Sequence, residues 1–228
     1  MRLVGQLLLF ASAFAFSGVT VCVKLALQAG MTPGTAAFLR FAVGFLGMLP
    51  LVIRDRANLR PQRPWLVLWR ALGNSGAVLL VFTALSLTTV TKTNLLNLTA
   101  PVFVFALAPI LNRERSPSLY FFLLVVTLLG SALVVLDRGS VSLGSANFGD
   151  LLALFSAVIA GASLSVLREV RKHDSSVVIL FYMFGIGSVA TGLFALAGYV
   201  PAPAAAWLWA LGGSVCALVA QILLTVGY

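Results

Sequence analysis

Eight apolar stretches, each close to the thickness of a bilayer, divide this chain and leave only short polar segments between them. About 20 mostly apolar residues cross the hydrocarbon core as a helix. The stretches are Leu3–Leu27, Thr35–Ile53, Trp65–Leu87, Lys92–Leu111, Leu119–Leu136, Phe148–Leu167, Val177–Ala197 and Ala206–Tyr228. A water-soluble domain of 228 residues has too little interior to hide them. Only 9% of the residues are charged, and the mean hydropathy is +1.06. The expected fold is an all-α integral membrane protein, a polytopic helical bundle whose solvent is lipid.

The net charge of +9 reads as topology rather than as affinity for nucleic acid. Cytoplasmic loops of membrane proteins collect Lys and Arg. With the N-terminus inside, Arg2, Arg54, Arg56, Arg60, Arg63, Arg70, Arg113, Arg115, Arg168, Arg171 and Lys172 fall on the inner side. Only Lys24, Arg40, Lys92 and Arg138 fall on the outer side. The expected placement is therefore multi-pass in the inner (cytoplasmic) membrane, N-terminus in the cytoplasm. Ala11-Ser12-Ala13 resembles a signal-peptide cleavage site, but the apolar run around it exceeds the usual h-region of about 7–15 residues. The first stretch is therefore kept as a helix.

An internal repeat organises the chain. Gly5-Gln6-Leu7-Leu8 is echoed by Gly149-Asp150-Leu151-Leu152. Leu39-Arg40-Phe41 through Gly44 lines up with Leu180-Phe181-Tyr182 through Gly185. Trp69 with Ala71-Leu72-Gly73 matches Trp209-Ala210-Leu211-Gly212. Residues 1–137 form a first five-helix unit, 138–147 a linker, and 148–228 a second unit with three helices. An odd number of spans inverts the second copy. Inverted repeats are a hallmark of secondary transporters, with the substrate held between the halves near the midplane. Eight of an expected ten transmembrane helices are present, so the chain reads as truncated at its C-terminus.

Polar groups inside spans are costly and usually face a bundle interior or a cavity. Thr20 and Lys24 share a face of the first span with Ser17. Asn94, Asn97 and Pro101 share a face of the fourth. Pro101 has no N–H and frees the carbonyl of Asn97, so a helix kink is expected there. Asn74 in the third span and Gln221 in the eighth add amides, for which interhelical hydrogen bonding is the alternative role. Arg40 lies seven residues past Pro33, roughly 10 Å into its helix. Lys24, Lys92 and Arg70 lie near span ends, where snorkelling competes with a cavity role. Gly73/Ala77 and Gly161/Ser165 are spaced for close helix packing. The cavity candidates are thus Arg40, Asn97, Asn94, Lys92, Gln221, Asn74, Thr20 and Lys24.

Catalysis finds little to work with. The carboxylates Asp55, Glu114, Asp137, Asp150, Glu169 and Asp174 sit in loops or at span ends, and His173 is the one histidine. Cys22 and Cys216 lie inside spans as small apolar residues. No catalytic set, metal site or cofactor is expected. Without a mid-membrane carboxylate or histidine to carry a proton, the expectation is a facilitator rather than a proton-coupled pump.

Leu39-Arg40-Phe41, Asn94 through Pro101-Val102-Phe103, Asn112-Arg113-Glu114-Arg115 and Gly130 occur in the order and spacing of a known pattern. The chain resembles EamA-type permeases of the drug/metabolite transporter superfamily. The resemblance implies ten helices in two inverted halves around a central cavity. It also implies export or exchange of small metabolites such as amino acids, vitamins or drug-like compounds by alternating access. Expected partners are a small-molecule substrate and membrane lipids, no nucleic acid, with a homodimer left open. The rival readings are a small integral-membrane enzyme, such as a lipid-modifying transferase, and a non-transporting membrane scaffold.

Overall fold

In a computed structural model of the chain, the described residues are 2–55, 59–111 and 147–227, with helical positions at Phe122, Val125, Val126 and Leu129. The helices whose bounds fall within these residues are, in order, α1 Arg2–Gln28, α2 Pro33–Asp55, α3 Pro64–Leu87, α4 Val90–Asn97, α5 Ala100–Leu111, α6 Phe148–Val170, α7 Ser176–Ala197 and α8 Ala204–Gly227. All except α4 and α5 are long and apolar enough to cross a membrane. The protein is a polytopic helical bundle. The rest of the fifth expected span, the linker up to Ala146, Arg56, Asn112, Arg113, Glu114, Arg115, Asp137 and Arg138 lie outside the described residues.

Local chemistry sets the boundaries. α1 ends in a Schellman turn: Gly30, at φ 97°, donates its N–H to Leu27 O, and Met31 donates to Ala26 O. α3 starts on Pro64, whose missing N–H costs nothing in a first turn. α7 is capped by Ser175, whose hydroxyl accepts from Val178 N. Trp65 and Trp69, stacked edge to face at 5.8 Å, sit where aromatic residues favour the membrane interface.

The expected continuous helix Lys92–Leu111 is broken. α4 stops at Asn97 and α5 restarts at Ala100. At the break Thr99 N and Thr99 Oγ1 both donate to Leu96 O, and Val102 N donates to Thr99 O. Pro101 causes this. Its ring would clash with the carbonyl of Asn97 and offers that carbonyl no donor. The chain resolves the conflict by placing Pro101 in the first turn of a new helix rather than by bending one.

Three antiparallel pairings dominate the packing: α1 with α8, α3 with α6, and α2 with α7. Glycines let the backbones approach. A Cβ on Gly5 would stand 3.1 Å from Gly227 O, and one on Gly73 3.2 Å from Ser163 Cβ. In the α2–α7 pair the interlock is reciprocal. Phe41 fills the space over Gly187 and Phe184 the space over Gly44, the two rings meeting edge to face at 6.3 Å. Both rings are buried at the centre of the core. These equivalent roles link Phe41 to Phe184 and Gly44 to Gly187, two residues further along than the sequence match of Phe41 with Tyr182. Large apolar side chains face outward instead, among them Phe10, Phe14, Phe155, Val189 and Leu208. In lipid such a surface is solvated.

A Cβ on Gly44 would lie 2.3 Å from the Phe184 ring. Gly44→Val is expected to destabilise the bundle by about 1–3 kcal/mol through overpacking. Combining it with Phe184→Ala should cost less than the sum of the two single changes. Thermal melting of the four proteins in detergent measures this. Strict additivity would show that the two side chains do not share one space.

Candidate functional site

Between α1, α2, α3, α4 and α6 lies a cavity of about 330 Å3. α1 contributes Phe16 and Thr20, α2 contributes Arg40, and α3 contributes Asn74, Phe82 and Leu85. α4 adds Asn94 and Asn97, and α6 adds Ser156. Two larger hollows, about 610 and 630 Å3, have no charged side chain on their walls. The smaller cavity is the chemically equipped one.

Arg40 is its most unusual member. The residue is 8% exposed, and its guanidinium carbon lies 5.7 Å from the centre of the Phe16 ring and 5.9 Å from that of Phe82. Its Nε has no hydrogen-bond partner, and no carboxylate pairs with the group among the described residues. Ring faces attract a cation but satisfy none of its N–H donors. Asn74 Nδ2 is likewise buried without a partner. Asn97 is partly used, since its Nδ2 donates to Thr93 O at 3.1 Å within its own helix. Thr20 Oγ1 bonds back to Phe16 O at 3.2 Å. The wall thus presents a fixed cation and a spare amide donor, an arrangement suited to an anionic or oxygen-rich ligand.

Thr20, Arg40, Asn74, Asn94 and Asn97 are therefore brought together around one space. Lys24, Lys92 and Gln221 are not on its walls. Lys24 turns inward to α3 and donates to Leu85 O at 2.7 Å and Thr88 O at 3.1 Å. Lys92 reaches Asp150 at 3.5 Å. Gln221 is 1% exposed in α8, one turn before the buried Thr225, and neither Gln221 Nε2 nor Thr225 Oγ1 has a partner among the described residues. Arg70 does not snorkel. It is 2% exposed, and its Nη1 donates to Ser163 Oγ at 2.7 Å while that hydroxyl donates to Arg70 O at 3.2 Å.

The sequence reading overlooked Phe16, Phe82 and Ser156. Phe16 carried a signal, standing one turn before Thr20 on the same helical face. Phe82 and Ser156 carried none that separates them from packing residues. Among the described residues no group of three His, Cys, Asp or Glu side chains could hold a metal.

Known proteins share this architecture. One solved crystal structure superposes over 100% of this chain and 80% of its own with a TM-score of 0.77, at 16% identity, a likeness of fold alone. An uncharacterised transporter of Archaeoglobus fulgidus is 32% identical over 209 residues, 91% of this chain and 71% of the relative. The pseudopaline exporter CntI of Pseudomonas aeruginosa strain UCBPP-PA14 is 28% identical over 224 residues, 97% of this chain and 77% of that protein. The profile of the EamA-like transporter family matches residues 3–136. The chain is a multi-pass membrane protein that moves small molecules, and it belongs to the EamA-like transporter family.

Proposed function

We propose that this protein is a secondary transporter that exports small organic anions across the cytoplasmic membrane by alternating access, with Arg40 as the substrate's anchor. The observation that carries this reading is the buried guanidinium with no counter-ion among the described residues. A charge removed from water without a partner is expensive, and such groups inside a membrane usually mark a substrate path. A carboxylate entering the cavity would accept from Arg40 and from Asn74 and remove that cost. Phe16 and Phe82 would hold the guanidinium in place meanwhile, and Asn94 and Asn97 would orient the rest of the ligand. A volume of about 330 Å3 suits a small metabolite.

Alternating access draws its support from the helix pairing. If residues 1–137 and 148–228 are inverted copies of one unit, α1, α2 and α3 correspond to α6, α7 and α8. Exchanging the copies turns the α1–α8 pair into α6–α3 and returns α2–α7 to itself. Such an arrangement places a cavity near the midplane between two halves that can rock about it. Export agrees with the name of the Pseudomonas relative. The cytoplasmic end is the one carrying Arg60, Arg63, Arg168, Arg171 and Lys172, where Asp174 accepts from Gln62 N at 2.7 Å and so ties two basic loops together.

Arg40→Gln removes the charge and keeps a polar side chain. Transport of an anionic substrate by reconstituted full-length protein should fall roughly 10- to 100-fold, the worth of a charge-assisted hydrogen bond. Arg40→Lys should retain part of it. The melting temperature of the Gln variant should match or exceed that of the parent, because an unpaired buried charge is removed. Unchanged transport by Arg40→Gln would sink the anchor assignment.

A cysteine replacing Arg60 should react with an impermeant thiol reagent in inverted vesicles and stay unmodified in intact cells. The reverse pattern would invert the proposed topology.

A further inference from the structure

Outward of the cavity, toward the ends of α1 and α3, a set of polar contacts joins four helices. Asp150, in the first turn of α6, accepts from Thr88 Oγ1 at 2.9 Å and from Asn147 N at 3.2 Å, and Lys92 Nζ of α4 stands 3.5 Å from it. Gly149 lets this turn press against Leu87 and Thr88, where a Cβ would find Leu87 Cβ at 2.9 Å. The end of α3 and the starts of α4 and α6 are thereby fastened into one block. α1 belongs elsewhere, packing chiefly on α8 and touching α3 and α4 only lightly. Its attachment to the block is Lys24, whose ammonium bonds Leu85 O and Thr88 O.

We propose that Lys24 is the latch of an outer gate: its bonds to the end of α3 hold the cavity closed on that side and break when the cavity opens outward. This rests on the alternating-access reading given above. Lys24 lies one turn beyond Thr20 on α1, and its acceptor Leu85 lies on α3, both Thr20 and Leu85 being cavity walls. The tether therefore spans the two walls at the cavity's outer edge. The chemistry suits a reversible bond. The acceptors are carbonyls of the last turn of α3 and of the residue capping it, where the helix dipole is negative. A lysine at a span end regains water when released, so the broken state leaves no charge stranded in hydrocarbon. The Arg70–Ser163 contact differs on this point: a guanidinium 2% exposed has no water to return to. It serves as a fixed strut between α3 and α6, and motion is directed to the Lys24 seam.

The test reads cavity exposure without substrate. In the full-length protein carrying Cys22→Ala and Cys216→Ala, Val81→Cys places a thiol on the cavity wall. An impermeant thiol reagent is added to liposomes on the side that bears Lys24. Adding Lys24→Met should raise the labelling rate about tenfold, the effect of losing a charge at a helix end. Lys24→Arg, which can still donate to carbonyls, should restore the parent rate. Asp150→Ala, which loosens the block but spares the Lys24 acceptors, should give a smaller rise, and it decides the matter if Lys24→Met does not fold. Labelling from the opposite side should not increase. Parent-like labelling of folded Lys24→Met, or an equal rise from both sides, would overturn the latch. Because no substrate is present, the latch can fail while the Arg40 assignment stands, and the reverse.

Discussion

Hydrocarbon supplies no hydrogen bonds, so every polar atom within the membrane must find its partner in the protein. This requirement shows in how most hydroxyl groups of the bundle are bonded. Ser12, Ser17, Thr20, Ser75, Thr83, Ser188, Thr191 and Ser214 bond back to carbonyls three or four residues earlier in their own helices. They satisfy themselves and join nothing. Three serines of α6 reach across, Ser165 while also bonding back to Gly161 O at 3.1 Å. Ser156 donates to Ala77 O and Ser163 exchanges bonds with Arg70, both on α3, while Ser165 approaches Val104 O on α5. α6 is therefore the polar spine of the bundle, and α3 is stitched to it at Thr88, Ala77 and Arg70. A few buried polar atoms are left over, among them Gln221 Nε2 and Thr225 Oγ1 on α8, but the bare Nε of Arg40 and Nδ2 of Asn74 lie together on one cavity.

Much of the architecture was legible from apolar run length alone. The spans Trp65–Leu87 and Phe148–Leu167 fall within a few residues of α3 and α6, because the bilayer thickness that sets helix length also sets the length of the apolar run. Pro101 was legible as a disturbance but not as a complete break. Whether a proline bends a helix or starts a new one depends on what the neighbouring backbone can bond to, here Leu96 O and Thr99 O. Which glycine of α7 receives Phe41 was not legible, since Gly185 and Gly187 are equivalent letters until Phe41 settles against one of them.

At the candidate site the sequence distinguishes depth but not direction. Arg40 stood out because seven residues into a helix it is too deep to reach water easily. Lys24 and Lys92 looked alike, being lysines near span ends, yet one caps carbonyls and the other pairs with Asp150. Their partners lie 61 and 58 residues away in the chain, a separation that no local pattern encodes. Gln221 shared the amide chemistry of Asn74 and Asn97 but occupies a different seam. Residue type proposes a polar role in a membrane, and only the helix pairing decides whether that role is played in the cavity or between two helices.

The glycine contacts explain why such a bundle can hold together and still accommodate a cavity. Lipid and core are equally apolar, so burying a leucine against another helix instead of lipid contributes little, and helices associate by close packing and a few hydrogen bonds. Tight approach holds each pair, at Gly5 with Gly227, Gly73 with Ser163, and Gly44 with Phe184, and it also joins α6 to α5 at Gly161 and α2 to α8 at Gly47. α1 meets α3 and α4 without comparable interlocking. The space that contains Arg40 opens between pairs rather than within them. The same uneven packing that secures the fold thus leaves a polar cavity bounded by segments that need not move as one.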